Sequence, residues 1–356
     1  MNTVAAVPGR IISTVLHHVD LEQRTCSAAT MPVDASDLER YLAELLDEVH
    51  DKPQKREYRL ADLTTQFGTS LAQFFSLQDF SKSIHAESLA QRLLRIELDT
   101  EAKYGHLNTT GTGHLKKGSF LQFMYRESGT FHYLGVKVEH QSFLDEADFK
   151  RKIGLGETQK IYKACKVSFD NAGAFGSAVV YDTNSRPSTY WWREFWELIE
   201  QRTDAHNTET AIKEVVRVLG PLKQISPIDY SLLRNAAIAA FKQAGQMDFG
   251  QFVDNTFANY QPTIPEVSDR LNNIVVKMRN LPAQKNFDSQ FTLEPTAVPF
   301  RRQTVPLTTE ISLSYNEGIQ NLDEKIWASR TQDGQDVLVV KATATASNRF
   351  KFKAME

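Results

Sequence analysis

In several stretches of the first 185 residues, apolar and polar positions alternate with the two-residue period that is typical of β-strands. Residues 10–19 (RIISTVLHHV) are mostly apolar and β-branched, and they predict a first strand. The clearest alternation comes at residues 119–126 (SFLQFMYR) and 131–138 (FHYLGVKV), which flank the polar turn ESGT. These two segments predict an antiparallel hairpin.

Helical periodicity separates these strands. A capping box at Ser36 and Glu39 opens a first helix, and residues 70–104 contain two further helical patterns. A helical piece is also predicted at 144–154 (LDEADFKRKIG), before another strand at 160–169 (KIYKACKVSF). The small residues that follow, DNAGAFGSAVVYDTNSRP, indicate a domain boundary or a conformationally special crossover.

The chain beyond Pro187 is dominated by helical patterns. The segment STYWWREFWELIEQR carries a wide apolar stripe at helical spacing, so we expect one helix there. Shorter helices are predicted at residues 208–219, 228–244, 247–257 and 262–280. These patterns predict a mainly helical C-terminal half.

Strand patterns return near the C-terminus in SQFTLE, EISLSY, EKIWASR and DVLVVKATA. Between the last two, Gln332-Asp333-Gly334 is typical of a hairpin turn. The whole pattern predicts an α+β protein with two domains. Residues 1–185 form an N-terminal α+β domain with a central antiparallel hairpin or sheet and flanking helices. Residues 186–356 form a helical domain with terminal β-strands.

Composition narrows the class of protein. The chain has 356 residues, of which 41% are hydrophobic and 24% charged, and its formal net charge is −3. The hydrophobic fraction excludes a disordered chain, and the length agrees with two domains. The slightly negative charge excludes a protein that is basic throughout, so any contact with DNA must come from local basic patches.

Cysteine usage and the N-terminus indicate the compartment. Cys26 and Cys165 lie far apart and outside any CxxC spacing, which argues against a disulfide framework or a cysteine zinc site. The start MNTVAAVPGR lacks the features of a signal peptide, and no apolar run approaches the ~20 residues that span a bilayer. We therefore expect a cytoplasmic protein.

The glycine-rich segment 111–119 (GTGHLKKGS) is a candidate phosphate loop. Gly113 and Gly118 have the required separation, but Ser119 stands where such a loop needs its lysine. The order of elements is also reversed, because a helix precedes the segment and a strand follows it. We expect a connecting or DNA-facing loop that presents Lys116 and Lys117.

Catalytic and metal-binding signatures are weak. HExxH and GxSxG do not occur, and no Ser/His/Asp or Cys/His grouping stands out. His132 and His140 share a strand face by parity but lie too far apart along it to chelate one ion. We expect no catalytic residue, no metal site and no cofactor. Scattered acidic residues leave a cryptic nuclease or nucleotide-processing enzyme as an alternative.

Basic residues cluster in three further places. In LDEADFKRKIG, acids precede Lys150, Arg151 and Lys152, an order that suits a helix dipole. In KIYKACKVSF, Lys160 and Lys166 share the face opposite the apolar one. In the tail NRFKFKAME, cations alternate with phenylalanines if the tail is extended. Each patch alone is typical of solvated surface, whereas patches on one face would form a non-specific DNA footprint. We assign DNA contact to Lys116, Lys117, Lys150, Arg151, Lys152, Lys160, Lys166, Arg349 and Lys351.

A run of aromatic residues, Trp191, Trp192, Phe195 and Trp196, has two interpretations. Aromatic faces can stack on single-stranded bases. Helical spacing instead places them on a broad apolar stripe, which is typical of a core or of a subunit interface. We assign the four residues to the interface of a homodimer.

Two segments carry a family resemblance. SFLQFMYRESGTFHYLGVKV with LDEADFKRKIGLGETQKIYKACKVSF, and EISLSYNEGI with EKIWASRTQDGQDVLVVKA, resemble the central and closing strands of the bacterial nucleoid-associated protein NdpA family. Gly113 and Gly118 then match the loop that enters the hairpin. The resemblance covers residues 10–345 in order of elements, apart from the YWWREFWEL segment. It implies a cytoplasmic, non-enzymatic nucleoid protein that binds DNA and associates with topoisomerases.

The predicted function is therefore association with the nucleoid without enzymatic activity. The protein is expected to bind double-stranded DNA largely without sequence specificity, or to act on DNA through DNA-bound partners, as a homodimer. A first alternative is a protein-interaction component of a phage-defence or mobile-element system, which would use the apolar aromatic segment rather than the lysines. The second is the cryptic nuclease or nucleotide-processing enzyme.

Overall fold

The computed structural model describes residues 11–29, 40–48 except 42 and 46, 56–104, 118–144, 151–155, 163–182 and 187–351. The chain forms two compact units, Met1–Gln201 and Arg202–Glu356, and it has the predicted α+β class. The division follows Gln201 and not residue 185, because residues 190–200 form a helical turn and a strand of the N-terminal unit.

The N-terminal unit is built on an antiparallel sheet. Its described strands are β1 (Ile11–Asp20), β2 (Thr25–Ala28), β3 (Glu57–Leu60), β4 (Gly118–Glu127), β5 (Thr130–Leu144), β6 (Arg151–Leu155), β7 (Lys163–Phe169), β8 (Phe175–Asp182) and β9 (Leu198–Glu200). They follow the order β2-β1-β4-β5-β7-β8-β3-β9, and β6 pairs with the end of β5.

The predicted central hairpin is confirmed. β4 and β5 pair along the whole of β4, and the turn residues Ser128 and Gly129 both have positive φ, 49° and 84°. Two successive positive φ angles give the turn a twist that matches the flanking strands. Nearly all side chains of β4 are buried, on both faces of the sheet. The hairpin therefore lies inside the unit and not at its surface.

Helices cover both faces of this sheet. One face packs against α1 (Gln66–Leu77) and α2 (His85–Tyr104), with the short turn Phe80–Lys82 between them. Leu89, Leu93 and Ile96 of α2 are buried against the sheet, as their spacing predicts. The opposite face contacts Leu45, from a helical segment within residues 40–48 where the capping box predicts a helix.

The prediction of a helix over STYWWREFWELIEQR is wrong. Tyr190–Phe195 form one π-helical turn, and Leu198–Glu200 then join the sheet as β9. Glu197 ends the turn with a φ of 50°, and its carboxylate accepts a hydrogen bond from the Phe67 N–H (2.8 Å) and pairs with Arg92 (3.0 Å). These tertiary contacts fix a bend that hydrophobic periodicity does not encode.

Two other predictions for the N-terminal unit are also wrong. The segment DNAGAFGSAVVYDTNSRP is no domain boundary, because Phe175–Asp182 pair with β7 as β8. The predicted helix at 144–154 is absent from its described residues, because β5 continues to Leu144 and Arg151–Leu155 pair with its end; residues 145–150 lie outside the described residues. A neighbouring strand supplies the backbone hydrogen bonds that a helix would otherwise make internally.

The C-terminal unit combines helices with closing strands, as predicted. Its longer helices are α3 (Asp204–Leu219), α4 (Pro227–Phe241) and α5 (Glu266–Arg279), and shorter helical turns are Leu222–Ile225, Phe249–Val253, Asp254–Ala258, Leu281–Lys285, Pro295–Ala297, Leu322–Lys325 and Ala344–Ser347. Its strand pairs are β10 (Gln246–Asp248) with β11 (Gln290–Thr292), β12 (Arg302–Pro306) with β13 (Ser312–Asn316), and β14 (Ile326–Arg330) with β15 (Asp336–Val340). Of these strands, β10 and β12 were not predicted.

The end of the chain departs from the extended tail that its alternation suggests. Gly334, with a φ of 87°, lies in the predicted turn between β14 and β15. After β15, however, Ala344–Ser347 form a helical turn and the chain bends again up to Phe350. Among the described residues, no helix is both long and apolar enough to cross a membrane.

Candidate nucleic-acid interface

Among the described residues, strand β5 reaches further than its neighbours in the sheet. Its residues up to Glu139 pair with β4, and residues 132–137 also pair with β7. In the part of the chain that the structure describes, His140–Leu144 pair with β6 alone. Five residues at about 3.4 Å each give a two-stranded ribbon of roughly 17 Å beyond the described end of β4. We call this pair of segments, His140–Leu144 and Arg151–Leu155, the β5–β6 ribbon.

Basic residues stand at the outer end of the β5–β6 ribbon. Arg151 is the register partner of Leu144, and Lys152 is the partner of Phe143. Lys150 precedes them in the chain and lies outside the described residues, as do Lys116, Lys117 and Lys160. Two of the predicted DNA contacts thus lie on one strand of this ribbon, whereas sequence reasoning had placed them on a helix.

A cluster of polar side chains lies at the base of the β5–β6 ribbon. Ser119 Oγ lies 2.7 Å from Nε2 of His140, the first ribbon residue, and 3.1 Å from Nδ1 of His18 on β1. The two imidazole rings meet edge to face, with centroids 5.6 Å apart. Ser119 is fully buried, whereas His18 is exposed. This cluster connects three strands at the point where the ribbon leaves the sheet.

Sequence reasoning missed this cluster, because it compared histidines along one strand and not across strands. His18 and Ser119 are direct register partners, and Ser119 is the partner of Val138, two residues before His140. Side chains of residues two apart on a strand share a face, so His140 comes within reach of Ser119. The pairing of β1 with β4 was the missing information.

Lys166 is the predicted DNA contact whose surroundings the structure shows most clearly. It lies on β7, on the face opposite Cys165 and Val167, as predicted. Its Nζ donates to Glu127 Oε2 at 3.2 Å and lies 6.0 Å from the centre of the Tyr125 ring. The side chain is only 20% exposed. Its charge is therefore already compensated within the N-terminal unit.

Two other lysines are buried completely. Lys137 donates to Glu97, and Lys163 donates to Asp182 and to the Ser188 hydroxyl (2.9 Å). Lys137 and Lys163 are direct partners across β5 and β7, so two ion pairs lie side by side. Burial lowers the pKa of Lys163, although the Asp182 carboxylate acts in the opposite direction.

The signal for these ion pairs was present in the sequence. Lys163 shares strand parity with Cys165 and Val167, which places a lysine on the apolar face of β7. A lysine at such a position requires a carboxylate partner, since an isolated buried charge is very costly. The partner itself could not be identified, because Asp182 comes from a segment that sequence reasoning did not assign to a strand.

The two C-terminal cations among the predicted DNA contacts are exposed. Arg349 lies in the bend after the last helical turn, and Lys351 follows it. Ala344–Ser347 are helical and the chain bends up to Phe350, so the described part of the predicted tail is not extended; residues 352–356 lie outside the described residues. The other residues of the predicted footprint belong to the N-terminal unit.

The aromatic run does not form a subunit interface. Trp191, Phe195 and Trp196 are fully buried in the core between the sheet and its helices, and Trp192 is half-buried against the same core. Gly135 of β5 faces the Trp196 ring, and a methyl group at that position would collide with it. The same burial leaves these rings unable to stack on bases. Of the two readings of the sequence, the core is therefore right and the interface wrong.

Apolar surface lies instead on two hairpins of the C-terminal unit. In the β14–β15 hairpin, Trp327 and Leu338 are each 38% exposed and Val340 is 44% exposed. The β12–β13 hairpin exposes Val305, and its connection exposes Leu307 and Ile311. Each hairpin is a separate two-stranded sheet within the described residues. Isolated two-stranded hairpins are marginally stable in water, so these surfaces are candidates for a protein contact.

The described part of the chain contains no group of three or more His, Cys, Asp or Glu residues that could hold a metal ion. No protein-family model and no curated protein matches the chain. The resemblance to the NdpA family therefore stays a prediction.

Proposed function

We propose that the protein binds double-stranded DNA largely without sequence specificity, through the β5–β6 ribbon, and that it has no enzymatic activity. The observation that supports this most is the position of Arg151 and Lys152 at the outer end of a two-stranded ribbon. A two-stranded β-ribbon fits the major groove of B-DNA, which is about 12 Å wide. The family resemblance points to the same function and adds a nucleoid location and topoisomerases as partners.

Electrostatics fit this proposal, because the three residues Lys150, Arg151 and Lys152 are consecutive. Cations that neutralise DNA phosphates release counterions, so the affinity falls steeply with salt. By contrast, the lysines of the sheet are matched with carboxylates, as Lys163 and Lys166 show. We therefore place the contact on the ribbon, while Lys116, Lys117 and Lys160 of the predicted footprint lie outside the described residues.

The test is the salt dependence of binding to a random duplex, measured by fluorescence anisotropy. Each cation that contacts a phosphate contributes about 0.9 to the slope of log K against log salt. Lys152→Gln is expected to lower that slope by about 0.9, and a variant that also carries Arg151→Gln by about 1.8. The matched control is Lys223→Gln, at an exposed lysine of the C-terminal unit. No binding at low salt, or equal slopes in all variants, would refute the proposal.

The β14–β15 hairpin supports a second proposal, that two copies of the chain associate there. It exposes three apolar side chains, Trp327, Leu338 and Val340, and its exposed Arg330 is already paired with Asp336. Asp336 lies at one end of β15 and Lys341 just beyond the other, so antiparallel pairing of two copies brings each Asp336 towards the other copy's Lys341. Contacts of this kind satisfy a two-fold axis, the commonest symmetry of oligomers.

Sedimentation equilibrium tests this association. Leu338→Asp is expected to convert a micromolar dimer into a monomer, because a buried carboxylate would face apolar surface. Ile84→Asp is the matched control, since Ile84 is 78% exposed on the N-terminal unit. A monomeric wild type at high concentration, or equal effects of both variants, would contradict the dimer and favour a different protein partner for the hairpin.

A further inference from the structure

A pocket lies in the C-terminal unit, between helix α4 and residues 319–323. Its volume is about 370 Å³, within the range of roughly 300–1,000 Å³ that is typical of small-molecule sites. We propose that this pocket binds a small aliphatic amine in its ammonium form. The proposal does not depend on DNA binding, since the β5–β6 ribbon belongs to the other unit.

Hydrogen bonds hold one wall of the pocket in place. Asn235 of α4 is buried, and its Oδ1 accepts hydrogen bonds from the N–H groups of Gly318 (2.9 Å) and Ile319 (3.0 Å). Gly318 has a φ of 80°, which a residue with a side chain adopts only with strain. Asn235 therefore fixes the loop before residues 320–323 against α4.

Half of the lining is apolar. Six of the twelve lining residues are Leu232, Leu233, Ala236, Ala239, Ile319 and Leu322. Leu233, Ala239 and Leu322 are buried, so they form the inner part of this surface. A hydrocarbon chain that covers the surface removes it from water, which favours binding. This lining therefore suits a ligand with an aliphatic body.

The charge of the lining is negative. Among the described residues that line the pocket, Asp323 alone is charged, and its exposed carboxylate forms no ion pair with another described residue. Arg234 of α4 donates instead to the Glu317 carboxylate at 2.6 Å, and Lys325, in the same helical turn as Asp323, does not line the pocket. A ligand ammonium group would supply the ion pair that Asp323 lacks.

Tyr260 adds an aromatic surface for the cation. It lines the pocket, and its hydroxyl donates to the buried Asp229 carboxylate at 2.6 Å. The face of an aromatic ring attracts an ammonium group, and a hydrogen bond to an anion makes the phenol ring richer in electrons. Burial and the hydrogen bond to Asp229 raise the pKa of Tyr260, and the Asp323 carboxylate acts in the same direction. The pocket therefore suits a cation and disfavours an anion.

The test is an NMR titration of the wild type with pentylammonium chloride at pH 7, followed through the backbone amides of Thr256, Asn321 and Asp323. Neutral 1-pentanol and anionic pentanoate carry comparable hydrocarbon chains and serve as comparison ligands. Pentylammonium is expected to bind about fivefold more tightly than 1-pentanol, as for one exposed ion pair, and pentanoate is expected to bind least. Asp323→Asn is expected to remove this difference. The matched control Asp269→Asn, at an exposed carboxylate of α5 outside the pocket, is expected to keep it.

A second pair of variants tests the location of binding. Ala236→Leu fills the pocket from an exposed position of α4 and is expected to abolish binding. Ser231→Leu adds the same side chain at an exposed position of α4 outside the pocket and is expected to leave binding unchanged. Absence of shifts at the three amides, equal affinities for pentylammonium and 1-pentanol, or equal effects of the two leucine variants would overturn the proposal. Tighter binding of Nα-acetyl-lysine amide than of pentylammonium would assign the ammonium to a lysine of a partner protein and so overturn the small amine.

Discussion

Lysine and tryptophan side chains have opposite environments in the N-terminal sheet and in the β14–β15 hairpin of the C-terminal unit. In the sheet, Lys137 and Lys163 are buried against carboxylates, and Trp196 is fully buried. In the β14–β15 hairpin, Trp327 is 38% exposed, with the Lys341 ammonium 5.7 Å from its ring centre. The sheet buries these side chains in its core, whereas the hairpin presents its aromatic and apolar groups to solvent.

This difference explains why the type of residue alone could not predict the subunit interface. Trp191, Trp192, Phe195 and Trp196 form the densest aromatic run in the chain, so the sequence favours them for a subunit contact. They instead fill the space between the sheet and its helices. The exposed apolar side chains of the hairpins are more widely spaced along the sequence and include a single tryptophan, so their pattern does not indicate an interface. Exposure, and not aromatic density, identifies the candidate contact.

The largest expected effect comes from removing one partner of a buried ion pair in the sheet. Asp182→Ala leaves the Lys163 ammonium without its carboxylate, and such a loss typically costs about 3–5 kcal/mol of the free energy of unfolding. Asp336→Ala breaks an exposed pair with Arg330 in the hairpin and is expected to cost less than about 1 kcal/mol.

Urea unfolding measures this contrast. Three of the four tryptophans belong to the N-terminal unit, so fluorescence in a Trp327→Phe background reports on the sheet alone. Circular dichroism follows the C-terminal variant. Equal losses for the two substitutions would show that the sheet and the hairpin do not differ in the way that burial indicates.

The next largest effect concerns a buried, hydrogen-bonded carboxylate of the C-terminal unit. Asp229 is buried, and it accepts hydrogen bonds from the Tyr260 hydroxyl (2.6 Å) and from Thr263 Oγ1 (2.7 Å). Burial acts to raise the pKa of Asp229, but these hydrogen bonds outweigh it and hold the pKa below the usual range. The stabilisation is present above the pKa of an unfolded aspartate, near 3.9, and is lost as the pH falls through the lower folded value.

Acid titration followed by circular dichroism checks this expectation. Asp229→Asn is expected to cost about 1.5–3 kcal/mol at pH 7, the usual contribution of hydrogen bonds to a charged group. The variant is also expected to lose less stability than the wild type between pH 5 and pH 2. An equal loss in this range would mean that another carboxylate carries the acid sensitivity.

The sequence could predict those parts of the fold that local pattern determines. The hairpin of β4 and β5, α2 and the turn at Gly334 all agree with alternation, helical spacing or turn chemistry. The failures share one cause, which is pairing with a distant segment. Residues 151–155 became a strand because β5 offered them an edge, and Glu197 became a bend because Phe67 and Arg92 hold its carboxylate.

The parts of the candidate site that the sequence could not predict also depend on pairing with distant segments. Arg151 and Lys152 could be identified as basic residues, but their place on a two-stranded ribbon depends on the extension of β5. The contact between His18, Ser119 and His140 depends on the order of β1, β4 and β5 in the sheet. No spacing along the chain contains that order, because it arises from long-range strand pairing.

A methyl group added at Gly135 probes how tightly the core of the sheet is packed. Its Cβ would collide with the Trp196 ring, so Gly135→Ala is expected to cost about 1–3 kcal/mol of the free energy of unfolding. Gly250→Ala in the C-terminal unit is the matched control, because its nearest neighbour lies at an ordinary distance of 3.5 Å. Urea unfolding measures both variants. Equal stabilities of the two would imply that Trp196 can move aside and that the aromatic core is loose.

The smallest expected effect concerns Lys166. A substitution of this residue tests whether a charged side chain of the sheet contributes to DNA binding. Lys166→Gln removes a half-buried ion pair with Glu127 and is expected to cost less than about 1 kcal/mol of the free energy of unfolding. Because Glu127 already compensates this ammonium, DNA gains little from it, and the salt slope of binding is expected to stay unchanged. A slope lower by about 0.9 would mean that the Glu127 pair opens in the complex and that Lys166 reaches a phosphate. Glu127→Gln separates these cases, since it frees the ammonium and increases the slope only where Lys166 lies within reach of DNA.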